Sequence, residues 1–188
     1  MYGFNKGGLK AFYPDSNRLL FAPGLPATIL ETEGGRLKTA LKRRRTGCVG
    51  ISNGTKFSTN EHGYVDKISF KPDFDNPGKR DNRQTDVGKE GIDGDVGGHI
   101  QACVFGGTCD RYNLFPQNAK FNNSEYKKYF ENVIRKAHEN GKSVENVTVE
   151  FYRSNPSSPR PDALTVTYTI NGEAKKAYFK NIVGGGIQ

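Results

Sequence analysis

The sequence contains no tryptophan, a single methionine and only three cysteines. Nowhere does an apolar run approach the roughly 18 residues needed to cross a membrane. The N-terminus has neither the charged segment nor the apolar segment of a secretory signal peptide. Cys48, Cys103 and Cys109 are too few for a disulfide framework. Cys103 and Cys109 lie six apart and no Cys-x-x-Cys occurs, so the spacing of a structural zinc site is missing as well. A Cys103–Cys109 bridge and a pair of buried free thiols both fit that spacing. Without tryptophan, and without aromatics interleaved among basic residues, the chain lacks the pattern of a base-stacking platform.

What the chain has in plenty is positive charge. Lysine and arginine total 28 against 20 acidic residues, a formal charge of +8 over 188 residues, which favours a polyanionic partner. That length suits one domain with a full core. Residues 1–47 read as an N-terminal extension or linker, punctuated by glycine and proline and containing the basic run Lys42-Arg43-Arg44-Arg45; residues 48–188 read as the domain.

Within the domain, Asn53-Gly54 and Asn171-Gly172 are hairpin signals. Period-two alternation in Lys67–Lys71, Val147–Phe151 and Leu164–Ile170 predicts strands, with Ala174–Phe179 returning after the second turn. Residues 72–98 read as a long polar loop carrying Lys79, Arg80, Arg83 and Lys89, and His99–Phe105 reads as a buried strand. Tyr126, Tyr129, Phe130, Val133, Ile134 and Ala137 recur at spacings of three and four, an amphipathic helix of about four turns closed by Gly141. Asn122 with Glu125 makes a capping-box start for it. The fold class is therefore α+β, with antiparallel strands and one principal helix.

The chemistry concentrates after residue 95. His99 follows two glycines that let the backbone approach a substrate closely, and imidazole is the side chain that titrates unaided near neutral pH, as a general base must. His62 and His138 read as structural. Asn113, Asn122 and Asn123 carry amide oxygens suited to magnesium, which takes few protein ligands and keeps several waters. Asn113 also suits a turn, and Asn122 a helix cap. Glu131 follows Asn123 by eight residues, roughly 12 Å along a continuous helix, so it suits a water-mediated contact to the ion better than direct ligation. Arg135 can pair with Glu131 or bind a phosphate.

In this order the motifs resemble the DNA/RNA non-specific endonucleases of the ββα-metal (His-Me finger) superfamily. The resemblance runs from Lys56 through Asn181 and is carried by Gly97-Gly98-His99-Ile100, Phe105-Gly106-Gly107, Asn113–Asn118, Phe121-Asn122 and Glu131. It implies a ββα-metal core. It further implies hydrolysis of DNA, with RNA as a second substrate, dependent on Mg²⁺ with Mn²⁺ able to substitute. His99 is then the general base, Asn122 or Asn123 the metal ligand, and Glu131 the holder of a metal-bound water. Asn113 organises the site, and Lys79, Arg80, Arg83 and Arg135 serve the phosphate.

Two departures stand out. Val96 and Gly97 occupy the places where the family's Asp-Arg-Gly-His motif has aspartate and arginine, so Asp95 would act from one position earlier and Arg80 or Arg83 would supply the cation. Counting from Pro116-Gln117 selects Asn122 as ligand, whereas counting back from Glu131 selects Asn123. Domains of this subgroup resemble toxin ends of large secreted bacterial proteins. That setting implies delivery into a target cell and an acidic immunity protein as partner. A scavenging nuclease and a non-catalytic nucleic-acid-binding module are the alternatives.

Overall fold

The computed structural model describes residues 49–187. The extension over 1–47, its basic run and Cys48 lie outside them. Seven strands form one antiparallel sheet: β1 (Val49–Ser52), β2 (Thr55–Thr59), β3 (Val65–Phe70), β6 (Val144–Tyr152), β7 (Ala163–Ile170), β8 (Glu173–Lys180) and β9 (Gly186–Ile187), neighbours in that order. The two Asn-Gly turns close β1–β2 and β7–β8 with positive φ at both central residues, 48° and 75° for Asn53 and Gly54, 50° and 81° for Asn171 and Gly172. That backbone matches the right-handed twist of paired strands.

Between the adjacent strands β3 and β6 the chain leaves the sheet and returns. This excursion holds α1 (Arg83–Gly88), a separate two-stranded ribbon of β4 (Asp95–His99) and β5 (Leu114–Asn118), and the principal helix. The helix starts as α2 (Ala119–Phe121), runs through a π-helical stretch (Asn122–Glu131) and ends as α3 (Asn132–Glu139). Its buried face, Phe121, Tyr126, Phe130 and Ile134, meets Ile68, Val147, Val149, Val166 and Phe179 of the sheet. The opposite sheet face is polar; the Ser69 and Thr148 hydroxyls meet there at 2.9 Å. None of the helices in the described residues is long and apolar enough to cross a membrane.

Three sequence readings change. The polar loop over 72–98 contains α1 and most of β4, because Gly97 lets α1 lie directly on the ribbon: a Cβ there would stand 2.1 Å from the Gln84 carbonyl oxygen. His99 ends a strand rather than starting one. Beyond it all four backbone groups of Ile100 and Gln101 are claimed by single side chains or loops, so no ladder can continue. Ile100 N donates to Asn113 O (2.9 Å), Gln101 N donates to Asn113 Oδ1 (2.8 Å), Asn113 Nδ2 donates to Gln101 O (2.9 Å), and Tyr126 Oη donates to Ile100 O (2.8 Å). The helix, finally, is capped by Asn118, whose Oδ1 accepts from Lys120 N and Phe121 N (3.2 and 3.1 Å), so Asn122 lies inside the helix and is not its cap.

Candidate active site

His99 stands opposite Leu114 in the β4–β5 ribbon, buried to 6% exposure. Its two nitrogens face different surroundings. Nδ1 lies 3.2 Å from Gln84 Nε2, an amide that also donates to Gly97 O (3.2 Å). Nε2 faces two sulfurs, Cys103 Sγ at 3.3 Å and Cys109 Sγ at 3.5 Å. Cys109 is also tied to the loop ahead of α1: its thiol donates to Lys79 O (3.3 Å) and its sulfur accepts from Asp81 N (3.3 Å). Both cysteines are free thiols. Burial, reinforced by the nearby Arg80 and opposed by Asp81, pulls the imidazole down to about 4. His99 is therefore neutral at physiological pH, the form in which one nitrogen can accept a proton.

Glu131 is the counterpart on the helix. Its burial pushes the carboxyl up to about 7, with Lys127 and Arg80 pulling the other way. Arg80 thus acts on both His99 and Glu131, and it also hydrogen-bonds the Cys103 thiol. Beside it opens a cleft of about 680 Å³, lined by Arg80, Gln84, Lys89, Gly97, Asn122 and Asn123 among others.

The π-helical winding decides how Asn122 and Glu131 relate. They are nine residues apart. At about 3.6 residues per turn that separation puts two side chains on opposite sides of a helix. In the π form each bond spans one residue more, about 4.4 per turn, and nine residues make about two full turns. By that winding Asn122 and Glu131 come toward one face, and Asn123, about a quarter-turn away, lines the cleft as Asn122 does. The packing carries the same signature: Phe121 and Tyr126, five apart, are both fully buried with ring centroids 5.8 Å apart, before Tyr126, Phe130 and Ile134 resume a spacing of four. One surplus residue between 121 and 126 explains why counting from the two ends selects different asparagines.

The asparagines differ in their bonding too. Asn113, 1% exposed, spends its whole amide on the loop after His99, with Nδ2 also donating to Thr108 O (2.8 Å); it holds structure and does not face the cleft. Asn123 is exposed and turns its Nδ2 back to Ala119 O (2.9 Å). The Asn122 amide has no hydrogen-bond partner among the described residues, which fits a group kept for a ligand. No group of three or more His, Cys, Asp or Glu able to hold a metal occurs among the described residues. An amide oxygen, a carboxylate acting through water, and further waters are a donor set that suits magnesium.

The basic residues named from sequence separate. Arg80 joins the site. Arg83 is held between Asp81 (2.5 Å) and Asp110 (2.6 Å), anchoring α1 to the loop before β5. Arg135 pairs with Glu139 at 2.6 Å, one turn along the helix, and not with Glu131. Lys79 is exposed, and its carbonyl is what fixes Cys109. The Asp95 side chain is fully buried against Arg160, with Nε at 2.6 Å, and it caps Ile92 N (3.1 Å). Arg160 also donates to Asn181 O (2.6 Å), and Asn181 binds Asn118 N, Pro116 O and Pro161 O, fastening the ribbon to the end of β8. Gln84 and Arg160 escaped the sequence reading, and the two thiols were read as a bridge or a buried pair but not as neighbours of His99. The glycine at 97, where a large cation is usual, is the one local sign that something packs there.

A model of the DNA/RNA non-specific endonuclease family matches residues 53–172. The type VII secretion system protein EssD, from three strains of Staphylococcus aureus, is 36% identical over 115 residues, 58% of this chain and 18% of the relative's length. Among solved structures, NucA from Streptococcus agalactiae aligns at 14% identity. Its magnesium-bound form has a TM-score of 0.46, covering 87% of this chain and 84% of its own; the metal-free form has a TM-score of 0.44 over 79% and 80%. The chain belongs to the DNA/RNA non-specific endonuclease family.

Proposed function

We propose that the protein is a magnesium-dependent, sequence-indifferent endonuclease that hydrolyses DNA, and RNA as a second substrate, with His99 as general base. The observation that carries this reading is a neutral, buried imidazole whose Nδ1 is held by a residue lining the cleft that also contains the Asn122 amide, which has no partner among the described residues. On this reading Nδ1, the nitrogen against the cleft-lining Gln84, is the one that meets the water. The proton of the resting imidazole then sits on Nε2, toward the two sulfurs, and the Nδ1 lone pair accepts from Gln84 Nε2. Gln84 holds that lone pair until the attacking water takes its place; the water gives its proton to Nδ1 as its oxygen attacks phosphorus in line. Arg80 grips the phosphate, Asn122 and, through water, Glu131 hold the ion, and Asn113 keeps the loop behind His99 in place. Bound there, Mg²⁺ polarises the phosphate and stabilises the leaving 3′ oxygen, with Mn²⁺ able to substitute. Cleavage on this scheme leaves 5′-phosphate ends. Lys79, Lys89 and other exposed basic residues supply affinity without base readout.

Digestion of plasmid DNA and of RNA by the purified chain tests the proposal. Magnesium should support cleavage and EDTA should stop it; His99→Ala should lose cleavage while still binding DNA. Cleavage surviving either change removes His99 or the metal from the mechanism.

We further propose that the domain is the toxin part of a larger exported protein, delivered into a target cell and neutralised in its producer by an acidic immunity protein. The support is its likeness to a type VII secretion system protein, of which it spans 18%, together with its charge of +8. On this reading residues 48–188 are the nuclease and residues 1–47 an N-terminal extension or linker.

A further inference from the structure

A neutral imidazole carries one N–H, and the partners on either side of the ring decide which nitrogen holds it. On the Nδ1 side of His99 the partner can only give. Gln84 Nε2 reaches both Gly97 O (3.2 Å) and Nδ1 (3.2 Å); the carbonyl accepts, which identifies that atom as the amide nitrogen and leaves its second hydrogen for Nδ1. On the Nε2 side stand two sulfurs, and they are not equivalent. Cys109 gives its single proton to the loop ahead of α1, where Lys79 O lies at 3.3 Å and the Asp81 carboxylate is a second acceptor. Its sulfur also takes the backbone N–H of Asp81 (3.3 Å). Toward Nε2, at 3.5 Å, that sulfur has only lone pairs to offer. Cys103, at 3.3 Å, can give or take a hydrogen bond and so suits either tautomer.

We propose that Cys109 is a positioning residue for the reaction: its sulfur, acting opposite Gln84, holds His99 with the proton on Nε2 and the lone pair on Nδ1. With the proton on Nδ1 instead, two N–H groups would meet on one side of the ring, and a lone pair would face a lone pair on the other. The inference rests on the reading of His99 as the base. Cys109 also acts on the cation. Lys79 and Asp81, its two backbone partners, flank Arg80, so one side chain ties the segment that presents this guanidinium to the ring of the base. Cys109 is 1% exposed and packs with Val87 and Leu114, the residue opposite His99 in the ribbon, so packing keeps the thiol on these partners.

Nuclear magnetic resonance of the full chain with nitrogen-15 histidine tests this, in EDTA at neutral pH, with His99→Ala identifying the His99 signals among the three histidines. The two-bond proton–nitrogen pattern of the wild type should be that of an Nε2–H imidazole. In Cys109→Ala the pattern should move toward the average of the two tautomers, and kcat for DNA cleavage in magnesium should fall about tenfold. Cys109→Ser, which keeps a donor and lone pairs, should hold the pattern and restore most of the rate. An Nδ1–H pattern in the wild type overturns the proposal, even if Cys109→Ala fails to fold. So does an unchanged His99 pattern in folded Cys109→Ala, or an equal loss of rate in the alanine and serine variants, which would mark Cys109 as packing alone. Cleavage that survives His99→Ala, by contrast, overturns the base reading and leaves the tautomer assignment to the spectrum.

Discussion

His99 and Glu131 are each held toward the neutral form, and because one is a base and the other an acid they bend stability with pH in opposite senses. For His99, between about 4 and 6.5 the unfolded chain binds a proton that the folded one refuses, so its contribution is complete above 6.5 and is lost as pH falls. For Glu131, between 4.5 and about 7 the folded chain keeps a proton that the unfolded one releases. Its contribution is complete below 4.5 and is lost as pH rises through 7. In the wild type the two trends offset each other from about pH 4.5 to 6.5. Urea unfolding in EDTA across that range should separate them: relative to wild type, His99→Ala should lose stability as pH rises and Glu131→Gln should gain it. Each slope approaches about 1.4 kcal/mol per pH unit, the limit for one proton. Slopes of the same sign would show that the two groups are not both buried neutral. At this scale the sequence singled out His99, because Gly-Gly-His is a local pattern. It hid Gln84, whose partner lies fifteen residues on, across a contact that exists only because residue 97 lacks a side chain.

Among the elements, the π-helical stretch is the informative irregularity. If it absorbs one surplus residue, removing that residue should restore an ordinary α-helix. Ser124 is the one to delete, being exposed and within the 121–126 interval, with a hydroxyl that only bonds back to Lys120 O (2.5 Å) and to its neighbour Glu125. The deletion should leave Phe121 and Tyr126 four apart and Asn122 and Glu131 eight apart, both workable α-helical spacings. We expect retained nuclease activity and an unfolding midpoint at or above that of the wild type. Loss of activity in a stable, helical product would mean that the π geometry itself serves the site. The helix and the hairpins were legible because apolar period and turn chemistry are local. The start of the helix was misplaced because Asn118 and Asn122 are equally good caps on paper, and the choice between them is made by Asn181, sixty-three residues on, which fixes the Asn118 backbone. The short α1 has no apolar period to read. Val87 is its one large buried residue, packed in a small satellite cluster with Cys109 and Leu114.

At the scale of the whole molecule, the chain carries a formal charge of +8, and the toxin proposal makes a claim about cells rather than residues. Expression of the chain in a bacterial cytoplasm without an inhibitor should arrest growth and degrade nucleic acid. His99→Ala should remove that effect, since hydrolysis rather than binding is the cause. Co-expressed acidic inhibitor should protect, with association that weakens steeply as salt rises. Abundant active wild-type protein in healthy cells would reject the toxin role and leave the nuclease assignment intact.

The departure of the chain from the sheet between β3 and β6 bears on when the enzyme comes into being. Every other pairing in the large sheet joins consecutive strands, whereas Ser69 opposite Thr148 closes a gap of seventy-nine residues. Short-range hairpins form quickly, and the entropy of closing a long loop is met only once its far ends have something to bind. The expected order therefore has the β1–β3 and β6–β8 hairpins forming as two separate seeds, with the ribbon and helix gathered between them as the seeds join. Since His99, Asn122 and Glu131 all lie within that gap, hydrolytic competence arrives with the final docking event. On the proposed function, a chain that has not reached it does not cleave.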